Sequence, residues 1–221
     1  MIGMMRYHEL RDSQGIGLEI INNFANQAEV KAVTKEANDP TKVDWLDAHE
    51  TYQNQRGLTI IQNHFTFALK LSAGNQAWLD KLPATADLKK RVQQYIQNLA
   101  DVFPSLANWR ADELSFHLYD NPDIGLSFHR DNLRFIGLIA IIAIDGECDL
   151  VVRHQKQDYD FKVVPGDLCL LRATGLINTE TELRPEHSVQ NLKSPTRLSM
   201  MLRANNRPTE TIPGFKFNNW P

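Results

Sequence analysis

At 221 residues the chain is long enough to bury one well-filled core, and nothing in its length demands a second. Hydrophobic residues at 42% and charged residues at 23% give the balance of a soluble globular protein, not of a disordered chain. A net charge of −3 supplies no general basic field, which argues against a nucleic-acid-coating role while leaving room for a local basic groove.

Cys148 and Cys169 are too few for a disulfide framework. Both sit in apolar, strand-like runs and read as buried thiols in a reducing compartment. The opening Met1-Ile2-Gly3-Met4-Met5 is interrupted by Arg6, His8 and Glu9 before it reaches the length of a secretory apolar region. The longest apolar run, Phe135 to Ile144, is too short to span a bilayer and ends at Asp145-Gly146. These features set the expectation of a cytoplasmic protein with no membrane segment.

In chain order, Leu18–Ile21 reads as a short first strand. Asn26 can cap the helix that follows, with Glu29 placed to reach back to it, and Asn38-Asp39-Pro40 stops it. The polar segment Thr41 to Arg56 reads as a loop with at most one helical turn. Gly57 to Leu71 resumes β character, and a short helical piece around Gln76–Leu82 ends at Pro83. The clearest helix runs from about Asp87 to Phe103, where Leu88, Val92, Tyr95, Ile96, Leu99 and Val102 form one stripe. From Glu113 onward strand follows strand: Leu114–Tyr119, Gly125–Asp131, Phe135–Ile144, Asp149–His154, Tyr159–Val164, Leu168–Arg172, His187–Leu192 and Arg197–Arg203. Turn residues such as Asp145-Gly146 and Pro165-Gly166-Asp167 separate them, the pattern of a β-sandwich or barrel with helices appended from the N-terminal half.

One of these runs closes on His129-Arg130-Asp131. Residues two apart on a strand share a face, so His129 and Asp131 would present an imidazole and a carboxylate side by side. A second imidazole from a neighbouring strand, for which His187 is best placed, would complete a facial triad of two histidines and one carboxylate. That ligand set leaves open positions on a metal and belongs to non-haem Fe(II) oxygenases, while the lack of thiolate ligands argues against structural zinc. With seven histidines in the chain, one His-x-Asp alone carries little. The weight comes from strand context and from the order His129, Asp131, His187, Arg197, Ser199, the last two again sharing a strand face. His8, His49, His64 and His154 read as structural or exposed. His117 shares a face with Tyr119 and reads equally well as pocket lining or as core.

Together these residues resemble the Fe(II)- and 2-oxoglutarate-dependent oxygenase superfamily, whose motif is His-x-Asp…His followed by Arg-x-Ser; the resemblance covers roughly Glu113 to Ala204. It implies a mainly β protein with N-terminal helices and a double-stranded β-helix (jelly-roll) core. It also implies Fe(II) held by His129, Asp131 and His187, with 2-oxoglutarate and O₂ as cosubstrates. By the same resemblance the 1-carboxylate and 2-oxo group of 2-oxoglutarate chelate the iron and its 5-carboxylate meets Arg197. A guanidinium can grip a carboxylate with two parallel hydrogen bonds, and Ser199 would add a neutral donor. The stretch from Leu118 to Asp131 is also similar to AlkB-type dealkylases, where a tyrosine near the place of Tyr119 contacts the cosubstrate; the match needs a one-residue adjustment in the loop. The expected organisation is one domain over 1–221: an α/β support region (1–112), the jelly-roll core with the metal site (113–204) and a C-terminal tail (205–221).

The activity implied is oxidation, hydroxylation foremost, of a small-molecule substrate, coupled to decarboxylation of 2-oxoglutarate to succinate and CO₂. One alternative keeps the chemistry but acts on alkylated nucleobases or a protein side chain, as AlkB-like demethylases do. Another is a jelly-roll module that binds or senses metal without turnover. Candidate substrate contacts are Asn132, Arg134, Arg172 and His117, with Arg184 beside them; two arginines facing the metal would imply an anionic substrate. The stretch Lys42–Gln55 and the tail Phe215–Trp220 are candidate lids, with packing of the aromatic tail onto the core as the plainer alternative.

Overall fold

The computed structural model describes residues 7–54, 57–71, 76–177 and 183–207. After a short helix α1 (His8–Arg11), helix α2 (Gln27–Ala37) begins with the reciprocal cap expected from its sequence. The Asn26 side chain accepts hydrogen bonds from the amides of Ala28 and Glu29, and the Glu29 carboxylate accepts one from the Asn26 amide at 2.7 Å. A short helix α3 (Gln76–Asp80) precedes α4 (Pro83–Gln97), which starts four residues ahead of the expected Asp87. Proline stands at its N-terminus, where a missing N–H costs nothing. The buried Glu36 carboxylate, reaching over from α2, accepts from the amides of Ala84 and Thr85 and from the Thr85 hydroxyl. That long-range cap replaces a local one, so the helix start carried no local signal. The helix also ends early, giving way to a 3₁₀ turn over Asn98–Asp101.

The strands from Glu113 onward are β6 (Glu113–Tyr119), β7 (Ile124–His129), β8 (Phe135–Asp145), β9 (Cys148–His154), β10 (Gln157–Val163), β11 (Leu168–Arg172), β12 (Glu186–Gln190) and β13 (Arg197–Asn205). They form two facing antiparallel sheets, β11-β8-β13-β6 and β10-β9-β12-β7, which is the double-stranded β-helix expected. The N-terminal half lengthens both. β1 (Leu18–Ile21) joins β11, while β5 (His64–Lys70) and β2 (Leu46–Asp47) extend the large sheet beyond β6. β4 (Thr59–Gln62) and β3 (Glu50–Gln53) extend the small sheet beyond β7. The segment read as a loop over Thr41–Arg56 therefore contains two edge strands. Every residue of β3 is exposed, so no apolar alternation marks it.

One face of the large sheet buries Phe116, Ile142, Leu170 and Met200 against Val33 of α2 and Val92 and Ile96 of α4. Its other face brings Ile139, Ile141 and Leu171 against Leu150, Val152 and Val189 of the small sheet. Strand β8 is thus covered on both sides, which explains its unbroken apolar run. Cys148 and Cys169 are buried free thiols within this second layer. Among the described residues no helix is long and apolar enough to cross a membrane.

Candidate functional site

The two candidate imidazole ligands are cross-strand partners. β12 pairs with β7 so that His187 lies directly opposite His129, with ring centroids 4.3 Å apart. Each ring is oriented by a backbone carbonyl two residues earlier: His129 Nδ1 lies 3.0 Å from the Ser127 oxygen, and His187 Nδ1 lies 3.3 Å from that of Pro185. A carbonyl only accepts, so both Nδ1 atoms carry the proton and both Nε2 lone pairs are free for a metal. Asp131 does not lie on the strand, which ends at His129, but in the bend beyond it. Its backbone oxygen accepts from Arg184, its Oδ2 lies 3.4 Å from His187 Nε2 and its Oδ1 lies 3.7 Å from Arg203 Nε. One ligand atom from each of His129, Asp131 and His187 lies within 4.8 Å of the others, a donor set and spacing that fit one metal ion.

Charge favours the ligating forms. Burial raises the Asp131 carboxyl, but His187, Arg203, His129 and Arg184 outweigh it and hold the group below the ordinary carboxylate range. Burial, aided by His129, pushes His187 down to about 4, so at neutral pH its imidazole is uncharged. Burial pushes the nearby Cys169 thiol up to about 12, which keeps it out of any ligand set.

The triad opens on a cavity of about 430 Å³ between the two sheets, walled by Leu126, Ile141, Leu150, Val189 and Met201. Arg197 also lines it, at 2% exposure, with the Tyr119 ring 5.3 Å from its guanidinium carbon. The register sets Arg197 opposite Tyr119 and Ser199 opposite His117, so all four share one face of the large sheet. Among the described residues, Arg197 Nε and Nη1 and Ser199 Oγ are buried with no hydrogen-bond partner. Buried donors without acceptors are costly, and these face a cavity in which a bound acceptor would satisfy them.

His117 lines the same cavity; the other candidate substrate contacts do not. Arg172 donates instead to the carbonyls of Glu9, Asp12 and Gly15 and ties the N-terminal segment to β11. Arg134 is paired with buried Glu113 and lies over the Phe135 ring. Asn132 is exposed and accepts from the Arg134 amide. None of these three lines the cavity, and the two buried guanidiniums find acceptors within the protein. Within the candidate lid stretch, 46–47 and 50–53 are edge strands, and no described residue of 42–54 lines the cavity. The tail Phe215–Trp220 lies outside the described residues. The sequence reading missed Arg203, a cavity-lining cation beside Asp131, although its even spacing from Arg197 and Ser199 on one strand was a signal to find it.

No protein-family model and no curated protein matches the chain. Solved structures do match. A prolyl hydroxylase in complex with a hypoxia-inducible-factor peptide, from Trichoplax adhaerens, is 14% identical, with 94% of this chain and 90% of that one covered and a TM-score of 0.55. A rice dioxygenase for auxin oxidation is 14% identical, covering 86% and 73%, with a TM-score of 0.57. The non-heme alpha-ketoglutarate-dependent epimerase SnoN of nogalamycin biosynthesis is 15% identical, covering 100% and 94%, with a TM-score of 0.59. The chain therefore has the double-stranded β-helix fold of these enzymes. At such identities the likeness establishes the architecture, and the chemistry has to be argued from the site.

Proposed function

We propose that the protein is an Fe(II)- and 2-oxoglutarate-dependent oxygenase acting on a small molecule. The observation that carries this reading is the convergence, in one cavity, of the His129–Asp131–His187 ligand set and a buried guanidinium with bare donors. Two Nε2 atoms and a carboxylate would hold Fe(II) and leave positions for the keto acid. Arg197 and Ser199, with Tyr119 beside them, would bind the far carboxylate, a group that matches a forked cationic donor. Bound iron supplies the redox chemistry with O₂; the chain's own residues hold, orient and shield the reactants. Overall, substrate–H, O₂ and 2-oxoglutarate would give substrate–OH, succinate and CO₂.

The cavity sets a largely apolar wall beside a few convergent polar groups, as small-ligand sites do. SnoN, of the same fold, belongs to the biosynthesis of a small molecule, in keeping with this reading. The test is anaerobic addition of Fe(II) and 2-oxoglutarate, expected to give a weak visible charge-transfer band, followed by O₂-dependent succinate release. A protein that takes up the metal but yields neither band nor succinate is a binding module, and the proposal fails.

A further inference from the structure

Strand β13 turns Arg197, Ser199, Met201 and Arg203 toward the small sheet, and both of these arginines line the cavity. At about 3.3 Å per residue, six positions of strand separate their Cα atoms by roughly 20 Å. A five-carbon keto acid whose far carboxylate meets Arg197 therefore leaves Arg203 at the other end of the row.

Arg203 is buried, at 7% exposure, among weak acceptors. Its Nη1 donates to the Ser115 hydroxyl at 3.1 Å, and its Nη2 faces the Met201 thioether sulfur at 3.3 Å. Its Nε has no hydrogen-bond partner among the described residues, since Asp131 Oδ1 stands 3.7 Å away. Glu113 lies opposite Arg203 in the strand register, but its carboxylate already accepts from Arg134 and Asn205. The Phe135 ring, 5.1 Å from the guanidinium carbon, steadies the group without neutralising it. Arg134 and Arg172 are different: each has protein acceptors, and neither lines the cavity.

The charged groups lining the cavity are one carboxylate, Asp131, and two guanidiniums, Arg197 and Arg203. With a divalent metal on the triad and a dianionic keto acid on Arg197, one positive charge stays uncompensated, and Asp131 is committed to the metal. A buried cation in that position calls for an anion. The wall beside it, Leu126, Ile141, Leu150, Val189 and Met201, calls for an apolar body.

We propose that Arg203 anchors the acid group of the substrate itself, which is then a small organic acid with one carboxylate on a largely apolar body. A phosphate monoester, with nearly two charges at neutral pH, exceeds what the site leaves to be balanced. This rests on the 2-oxoglutarate reading of the cavity: one arginine serves the cosubstrate, the other the molecule to be oxidised.

The experiment uses Mn(II)-loaded protein saturated with 2-oxoglutarate. Its probes are the unbranched carboxylates from butyrate to octanoate and their primary amides. Broadening of the probe's proton resonances by Mn(II) reports binding beside the metal and needs no turnover. At least one acid should bind, about tenfold or more tighter than its amide. Arg203→Gln should weaken that acid about ten- to a hundredfold, the loss of hydrogen bonds between charged groups, and leave the amide unchanged. Arg203→Lys, which keeps the charge and loses the fork, should fall between. Mn(II) and 2-oxoglutarate should bind both variants within about threefold of wild type. Equal binding of acid and amide by the wild-type protein, or binding of no acid in the series, overturns the proposal without recourse to any variant. So does an Arg203→Gln protein that loses as much affinity for Mn(II) or 2-oxoglutarate as for the acid, because Arg203 then positions Asp131 or belongs to the cosubstrate pocket. Failure of the wild-type protein to bind 2-oxoglutarate at all overturns the functional reading and this one with it.

Discussion

Arg197→Ala is the sharpest perturbation of the site. Arg197 is buried at 2% exposure, and two of its three guanidinium nitrogens have no partner among the described residues. A bound carboxylate would complete a buried charged pair, and removing one member of such a pair costs about 3–5 kcal/mol. At roughly 1.4 kcal/mol per tenfold, the dissociation constant for 2-oxoglutarate should rise by about two to nearly four powers of ten. Arg197→Lys, which keeps charge but loses the fork, should fall between the two. Calorimetric titration into Mn(II)-loaded protein measures the shift directly. The ligand-free variant should not lose stability in proportion, because the bare guanidinium is costly to bury on its own. A change of less than tenfold would refute the assignment of Arg197 as the carboxylate anchor and shift attention to Arg203, the other guanidinium lining the cavity.

Further outcomes follow from the same geometry. Asp131→Ala should lower metal affinity by more than about a hundredfold, since residues that merely orient a ligand already cost up to that much; Mn(II) titration followed by electron paramagnetic resonance would measure it. His64 has an ordinary value of 6.5 and about 3 when folded, so the unfolded chain takes up a proton first as pH falls. Its share of stability is complete above about 6.5 and drains away toward 3, at up to about 1.4 kcal/mol per pH unit. Urea unfolding of metal-free protein between pH 4 and 7 should therefore show a shallower slope in His64→Phe than in wild type. Arg134→Ala removes the guanidinium paired with the buried Glu113 carboxylate, leaving the Asn205 amide as a donor to it, and should cost about 3–5 kcal/mol in chemical denaturation.

How much could be read in advance varied with how local the determining physics is. The capping box at Asn26 and Glu29 is a short-range device, and the helix starts where those residues require. The eight strands from Glu113 were legible because β11, β13 and β8 from Gly137 to Ile144 are buried and turn residues separate them. The order of His129, Asp131, His187 and Arg197 was legible too, but not the placement of Asp131 in a bend held by Arg184. The parts that stayed hidden depend on partners far along the chain. Glu36 caps α4 from another helix, β3 exists only as an edge partner of β4, and Arg172 is spent on three carbonyls near the N-terminus. His64 is the clearest case: nothing around Asn63-His64-Phe65 marks it, and only the pairing of β5 with β6 brings its ring onto His117.

The direct opposition of His129 and His187 has a mechanical side. Any ion gripping both rings would also rivet two adjacent strands at one rung of their ladder, in a pairing whose register already shifts just past His187. A slip by a single residue would send one imidazole to the opposite side of the sheet and dissolve the centre, so occupancy and strand alignment must rise and fall together. Metal loading should then protect the amides flanking that rung from solvent exchange more than those of β8, turning a chemical centre into a seam-lock for the six-stranded sheet.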